Sequence, residues 1–148
     1  MSNNKDLIPD NLETFDSLYK IVKILRSPDG CPWDKKQTPL SLRDDLLEEC
    51  FECIDAIEEN DSNHIAEELG DVLLDAAMII RIFEEQDTFT LPQVFKTVCE
   101  KLVRRHPHVF ANEDISTPDA VVKRWEEIKK TEKSLNNEIG RASCRERV

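Results

Sequence analysis

Glycine is scarce in this chain, with only three in 148 residues. No Asn-Gly or Asp-Gly turn joins two segments of alternating apolar and polar residues, which would be the signal of a β-hairpin. Apolar residues recur instead at helical spacing in long segments separated by turns rich in Pro, Gly, Asn and Asp. We therefore predict one all-α domain, a bundle of about five helices at residues 11–26, 38–59, 63–86, 90–105 and 117–133.

The charge balance limits the kinds of partner. Lys and Arg number 20 against 31 Asp and Glu, a formal net charge of −11, which argues against nucleic acid and anionic membranes as partners. The N-terminus lacks the blocks of a signal peptide, and the longest apolar run, VLLDAAMII, is too short to span a bilayer. Five irregularly spaced cysteines suit free thiols in a reducing compartment. We expect a cytoplasmic protein without membrane or nucleic-acid partners.

The last eleven residues, EIGRASCRERV, back-translate to a common short-read sequencing adapter read in frame. We interpret residues 138–148 as a non-native tail and residues 1–137 as the natural domain. The alternative is an ordinary basic tail. If the tail is foreign, the natural gene is expected to continue beyond Asn137.

Two pairs of acids have matched positions on the second and third long helices. At about 100° per residue, Glu52 lies about 60° behind Glu49, and Asp71 lies about 60° behind Glu68. Counted from a turn centred near Asn60, Glu52 and Glu68 are each eight positions away, and Glu49 and Asp71 are each eleven. If the two helices form an antiparallel hairpin, the four carboxylates are therefore predicted to lie on one side of it in two rungs, each made of one acid from each helix at the same level.

The apolar residues of these helices form stripes beside the acids, and we predict that the two stripes pack against each other. The Cys50–Cys53 pair lies within the first stripe. A structural zinc site needs four ligands, and no second close cysteine pair is present, so core thiols are favoured over a thiol site. The predicted stripe residues are Leu46, Cys50, Cys53, Ile54 and Ile57 on one helix and Ile65, Leu69, Val72, Ala76, Ile80 and Phe83 on the other.

Carboxylates without histidine or thiolate ligands suit a hard cation. The spacing predicts a site for Mg²⁺, with Mn²⁺ as a plausible substitute, while a solvated acidic helix face is the competing interpretation. Asp75, one turn beyond Asp71, is a candidate extension of the site.

The acidic pattern, together with LRSPDGCPWDKKQT, LLEECFECIDAI, EELGDVLLDAAM, KLVRRHPHVF and RWEEIKKTE, resembles the MazG family of nucleoside triphosphate pyrophosphohydrolases over about residues 12–133. The resemblance implies hydrolysis between the α and β phosphates to give a nucleoside monophosphate and pyrophosphate. It also implies that Glu49, Glu52, Glu68 and Asp71 are the catalytic acids that hold Mg²⁺.

The resemblance further implies a substrate-binding set of Lys101, Arg104 and Arg105 for phosphate and Trp125 for the nucleotide. Pairing with a helix C-terminus is the competing interpretation of the three cations, and packing is that of the tryptophan.

Three functions remain open. The preferred one is a Mg²⁺-dependent pyrophosphohydrolase of nucleotide-pool clearance, and a narrower enzyme for dUTP or a phosphoribosyl nucleotide is the second. The third is a non-catalytic dimerisation copy from a two-domain protein. The modest apolar content of 39% and the family likeness both favour a homodimer or higher oligomer.

Overall fold

A computed structural model gives the backbone of residues 7–145 and the side chains of residues 7–134. Within these residues the chain is helical and contains no β-strand, which confirms the all-α class. No helix there is long and apolar enough to cross a membrane. The helices are α1 Phe15–Leu25, α2 Pro32–Lys36, α3 Leu42–Glu59, α4 Ser62–Glu85, α5 Leu91–Arg105, α6 Pro107–Phe110 and α7 Pro118–Arg145.

The five long helices lie where the apolar spacing predicts them, but α1 begins at Phe15 and not at residue 11, and α7 continues past its predicted end at residue 133 to Arg145. The short helices α2 and α6 were not predicted. Each short helix begins with a proline, which suits the first position of a helix because its missing N–H has no helical partner there. The proposed boundary between residues 137 and 138 falls within α7, where the side chains lie outside the described residues.

The start of α3 differs from the prediction. Residues 38–41 form a turn in which the Thr38 backbone N–H donates to Ser41 Oγ at 3.0 Å and the Ser41 N–H donates to Thr38 Oγ1 at 3.1 Å. These two bonds hold the chain in a turn, so α3 begins at Leu42.

A tight turn joins α3 to α4. Asn60 ends α3 in the left-handed conformation with φ 56°, which asparagine tolerates better than most residues. Asp61 then caps α4, because its side chain accepts hydrogen bonds from the backbone N–H groups of Asn63 and His64 at 3.0 and 3.3 Å. The turn therefore fixes the register of the hairpin at Asn60, the centre predicted from the sequence.

The chain forms two compact units, residues up to Leu91 and residues from Pro92 onward. In the first unit α4 packs against both α3 and α1. Its buried apolar core contains Tyr19, Val22, Leu42, Ala77, Met78, Ile82 and Leu91.

The buried face of the hairpin matches the predicted one only in part, because most of the predicted stripe residues are buried or half-buried but Ile54, Ile57 and Leu69 are exposed. Glu68 is only 5% exposed and Asp75 only 9%, whereas Leu69 and Ile54, both in the predicted stripes, are 48% and 47% exposed. Cys53 is buried, and all four cysteines among the described side chains are free. The α3–α4 contact therefore runs along the acidic side, and part of each apolar stripe faces outward.

In the second unit, ion pairs connect α5 to α7. Glu132 on α7 accepts hydrogen bonds from the side chains of Arg104 and Arg105 at the end of α5. Glu113, before α7, pairs with Arg124 at 2.6 Å. The pairs with Glu132 join residues 27 and 28 positions apart, and the Glu113 pair joins residues eleven positions apart.

Candidate functional site

Three of the four predicted acids meet on the hairpin. Carboxylate oxygens of Glu49, Glu68 and Asp71 all lie within 4.8 Å of one another. Glu49 and Asp71 are half-buried, and Glu68 is buried. These three residues, called the acidic cluster below, contain the predicted rung of Glu49 and Asp71.

Glu52, the fourth predicted acid, is exposed and is not part of the group within 4.8 Å. Its negative charge nevertheless affects the carboxyl group of Glu49. Partial burial raises the pKa of the Glu49 carboxyl, and the negative charges of Asp71, Glu52 and Glu68 raise this pKa further. Glu52 is therefore an electrostatic neighbour of the cluster in the geometry observed.

Glu68 has one partner and one free oxygen. Its Oε1 lies 3.1 Å from His64 Nε2, one helical turn earlier on α4. Its Oε2 is buried and has no hydrogen-bond partner among the described residues. His64 was not predicted from the sequence, although residues four apart on a helix are neighbours and the spacing of His64 and Glu68 indicates such a contact.

Asp75 continues the acidic face by one turn. Its Oδ2 is also buried without a hydrogen-bond partner in the described part of the chain. Burial raises the pKa of the Asp75 carboxyl, and the charges of Asp45 and then Asp71 add to the rise. Asp45 on α3 was not singled out from the sequence.

The donor set of the acidic cluster fits a hard divalent cation. All the donors are carboxylate oxygens, which Mg²⁺, Mn²⁺ and Ca²⁺ prefer. An oxygen that is buried and unpartnered carries a desolvation cost that a bound cation would offset. Glu49, Glu68 and Asp71 are therefore the residues that could hold a metal ion.

The predicted substrate-binding residues belong to the second unit, where three of them lie together. The Arg105 guanidinium carbon lies 5.4 Å from the centre of the Trp125 ring. Arg105 Nη2 is 2.6 Å from Glu132 Oε2, and Arg104 Nε is 2.7 Å from Glu132 Oε1. Lys101 is half-buried one turn earlier on α5.

Two further residues contact this group, and neither was predicted. The His106 ring meets the Trp125 ring edge-on, with centroids 4.7 Å apart. Glu132 accepts hydrogen bonds from both arginines, and its single negative charge leaves the group of three side chains with a net positive charge. It lies 27 positions from Arg105, so no local pattern in the sequence indicated the contact. The arrangement holds Arg105 and Trp125 as a cationic and aromatic surface, which suits phosphate and a base.

We expect Glu132→Gln to destabilise the second unit in a pH-dependent way. Hydrogen bonds from Arg105 and Arg104 lower the pKa of Glu132 from 4.5 to about 2. Because the folded pKa is depressed, the ion pair stabilises the fold above the ordinary pKa and loses this contribution as the pH falls from 4.5 towards about 2. The variant should lose about 1 kcal/mol at pH 7.

Urea unfolding followed by tryptophan fluorescence at a series of pH values measures this difference. The difference in the free energy of unfolding between the variant and the unsubstituted chain should become smaller as the pH is lowered below 4.5. Glu126→Gln is the control, because Glu126 forms only an exposed pair with Lys129 three residues away. A difference in the free energy of unfolding that does not change with pH would contradict the ion-pair explanation.

Comparison with known proteins identifies the family. Residues 37–110 match the model of the MazG nucleotide pyrophosphohydrolase domain. The chain is 48% identical over 119 residues to the nucleoside triphosphate pyrophosphohydrolase/pyrophosphatase MazG of Thermotoga maritima, which covers 80% of this chain and 45% of that protein. It is 37% identical over 124 residues to the nucleoside triphosphate pyrophosphohydrolase of Escherichia coli K12, covering 83% of this chain and 47% of the relative.

The fold has a solved counterpart. The crystal structure of a mazG-related protein from Thermotoga maritima superposes with a TM-score of 0.66 at 32% identity, covering 78% of this chain and 98% of that one. The chain spans less than half the length of the two curated relatives. The matched domain and the solved structure place the chain in the MazG nucleotide pyrophosphohydrolase domain family.

Proposed function

We propose that this chain hydrolyses nucleoside triphosphates between the α and β phosphates, giving a nucleoside monophosphate and pyrophosphate. The acidic cluster carries the proposal, because three carboxylates within 4.8 Å of one another, one of them buried, are difficult to keep charged without a cation. The relatives named nucleoside triphosphate pyrophosphohydrolases supply the substrate class.

We assign Mg²⁺ as the cation, with Mn²⁺ as a substitute, and Glu49, Glu68 and Asp71 as its ligands. When bound, such a cation stabilises charge on phosphate oxygens and makes an attacking water more acidic. Glu52, outside the group of three, adds negative charge beside Glu49. It is proposed as a fourth acid that contacts the cation or its waters.

Lys101, Arg104, Arg105 and Trp125 are proposed as the substrate-binding residues. Phosphoryl transfer depends mainly on positioning and charge stabilisation, so fixed cations must accompany the acids. Arg105 has the side chain best prepared for this role, because its guanidinium is held against an aromatic ring and a carboxylate. The physiological role that follows is clearance of the cytoplasmic nucleotide pool.

The deciding experiment identifies the products. The full chain is incubated with Mg²⁺ and a panel of canonical and modified triphosphates that includes dUTP, together with a phosphoribosyl nucleotide. Monophosphate and pyrophosphate are expected. Release of orthophosphate would reject the proposed cleavage between the α and β phosphates. No turnover of any substrate would reject the proposal and favour a non-catalytic dimerisation copy, whereas turnover of dUTP or the phosphoribosyl nucleotide alone would favour the narrower enzyme.

We propose that a second copy of the chain covers the outward apolar side of the hairpin. Leu47, Phe51, Ile54 and Ile57 on α3 are each about half exposed in the single chain, as are Leu69 and Leu73 on α4. Exposed apolar residues grouped on two packed helices are typical of an interface. A homodimer would bury them.

Ile54→Asp is therefore expected to weaken self-association by about tenfold or more, because a buried isoleucine contributes roughly 1.5–3 kcal/mol and the charge adds a desolvation cost. Light scattering across a concentration series measures the association. Leu12→Asp, at an exposed leucine before α1, is the control. An unsubstituted chain that is monomeric at micromolar concentration would contradict the proposal.

A further inference from the structure

His64 is the basic residue that contacts the acidic cluster. Its Nε2 lies 3.1 Å from Glu68 Oε1. Within residues 7–134 no lysine or arginine pairs with Glu49, Glu68 or Asp71. In the described part of the chain, the imidazole is therefore the one basic group placed to act on these three carboxylates.

The start of α4 places His64 for this contact. His64 is the third residue of the helix, and the side chain of Asp61, which caps the helix, accepts a hydrogen bond from the His64 backbone N–H at 3.3 Å. Glu68 follows four residues later and so lies on the same face of α4. The His64 side chain is 41% exposed and that of Glu68 only 7%, so the imidazole reaches from the surface to a buried carboxylate.

The helix itself does not explain a histidine at this position. The first turn of a helix favours acidic side chains, because its free N–H groups carry partial positive charge. A basic residue in this turn therefore gains nothing from the helix dipole. Its contact is instead with a carboxylate of the acidic cluster, which indicates a role in that cluster.

Glu68 is contacted at one oxygen only. Oε1 lies against His64, whereas Oε2 is buried and has no hydrogen-bond partner among residues 7–134. A carboxylate fixed at one oxygen cannot turn freely, and its other oxygen stays available to a further ligand. Residues that orient a metal ligand without touching the metal typically change metal affinity by about 10- to 100-fold when they are replaced. A neutral imidazole carries one N–H, so the contact does not require a charged histidine.

We propose that His64 is a positioning residue, which holds Glu68 through Oε1 and so keeps the acidic cluster arranged for a divalent cation. His64 acts on the cation through Glu68 and is not itself a ligand. The effect of His64 on hydrolysis rests on the proposed function, but its effect on cation binding does not.

Mn²⁺ binding to the full chain without nucleotide tests the proposal, since electron paramagnetic resonance of free Mn²⁺ gives the affinity without any hydrolysis. His64→Ala should weaken Mn²⁺ binding by about tenfold or more. His64→Gln keeps an N–H donor and should recover most of the affinity. Asn63→Ala is the matched control, because Asn63 is the preceding residue of the same turn and is exposed. This control should bind Mn²⁺ as tightly as the unsubstituted chain.

Unchanged Mn²⁺ affinity in His64→Ala would overturn the proposal. Equal weakening in His64→Ala and His64→Gln would also overturn it, because the ring itself would then be needed, as in a direct metal ligand. Thermal unfolding in a chelator shows whether each variant is folded. Weakened Mn²⁺ binding in His64→Ala, in a chain that hydrolyses no triphosphate, would reject the proposed function and leave the role of His64 standing. Hydrolysis with unchanged Mn²⁺ affinity in His64→Ala would do the reverse.

Discussion

Glu68→Gln is expected to lower the rate of triphosphate hydrolysis by about 10²- to 10³-fold while leaving the metal-free fold at least as stable. The loss follows from the metal, since a ligated cation supplies several kcal/mol of charge stabilisation and each 1.36 kcal/mol is a factor of about ten in rate. The retained stability follows from burial. Glu68 Oε2 is buried without a partner, so the neutral amide removes a charge that the metal-free fold must otherwise desolvate.

Initial rates at a range of Mg²⁺ and Mn²⁺ concentrations, together with thermal unfolding in a chelator, measure the two effects. High Mn²⁺ should restore part of the activity if Glu68 acts by holding the ion. Glu58→Gln is the matched control, because it also removes one acid from the hairpin at an exposed position. Equal loss of activity in both variants would show a general effect of removing an acid and would contradict a specific role for Glu68. A large fall in the unfolding temperature of Glu68→Gln alone would show that Glu68 supports the fold.

The sequence was sufficient for the long helices and for the register of the hairpin. Apolar spacing over a dozen or more residues averages out local exceptions, and the turn at Asn60 and Asp61 is specified by the side chains at the turn itself. The helices α2 and α6 were missed because five and four residues are too few to show a helical period. The start of α3 was misplaced because Thr38 and Ser41 bond to each other in a turn.

The face of α4 that packs could not be predicted from periodicity alone. A helical stripe shows which side of a helix is apolar, but it does not identify the element that covers that side. Here Glu68 and Asp75 are buried while Leu69 remains half exposed, so the carboxylates lie inside the hairpin contact and not at its outer edge. Glu49, Glu68 and Asp71 nevertheless lie together, as their matched spacing predicted. The register of the two helices is set by the turn that joins them, whichever face of each helix is buried.

The surroundings of the arginines could not be predicted either. The KLVRRHPH segment identified Arg104 and Arg105 as cations near a helix end, but their contact with Glu132 joins two helices. Such a contact depends on how α5 and α7 pack, which no local pattern encodes. In the proposed function, a phosphate group would have to compete with the Glu132 carboxylate for the Arg105 guanidinium group.

The competition between phosphate and Glu132 for Arg105 leads to the second prediction with a large effect. Arg105→Lys is expected to lower kcat/KM for a triphosphate by roughly 10- to 100-fold, since a hydrogen bond to a charged group contributes about 1.5–3 kcal/mol. Lysine keeps the charge but lacks the planar fork that binds phosphate oxygens in pairs and stacks on an aromatic ring. Arg105 does both in this structure, with Trp125 on one side and Glu132 at its nitrogens.

Steady-state kinetics with Arg105→Lys and Glu132→Gln separate binding from packing. If phosphate replaces Glu132 on Arg105, Glu132→Gln should lower KM while Arg105→Lys raises it, although both variants weaken the same contact between Arg105 and Glu132. Arg124→Lys is the matched control, because Arg124 forms a similar pair with Glu113 in the same unit and has no proposed contact with substrate. If Arg105→Lys left KM unchanged and reduced only the stability, as Arg124→Lys should, Arg105 would be a structural tie between α5 and α7.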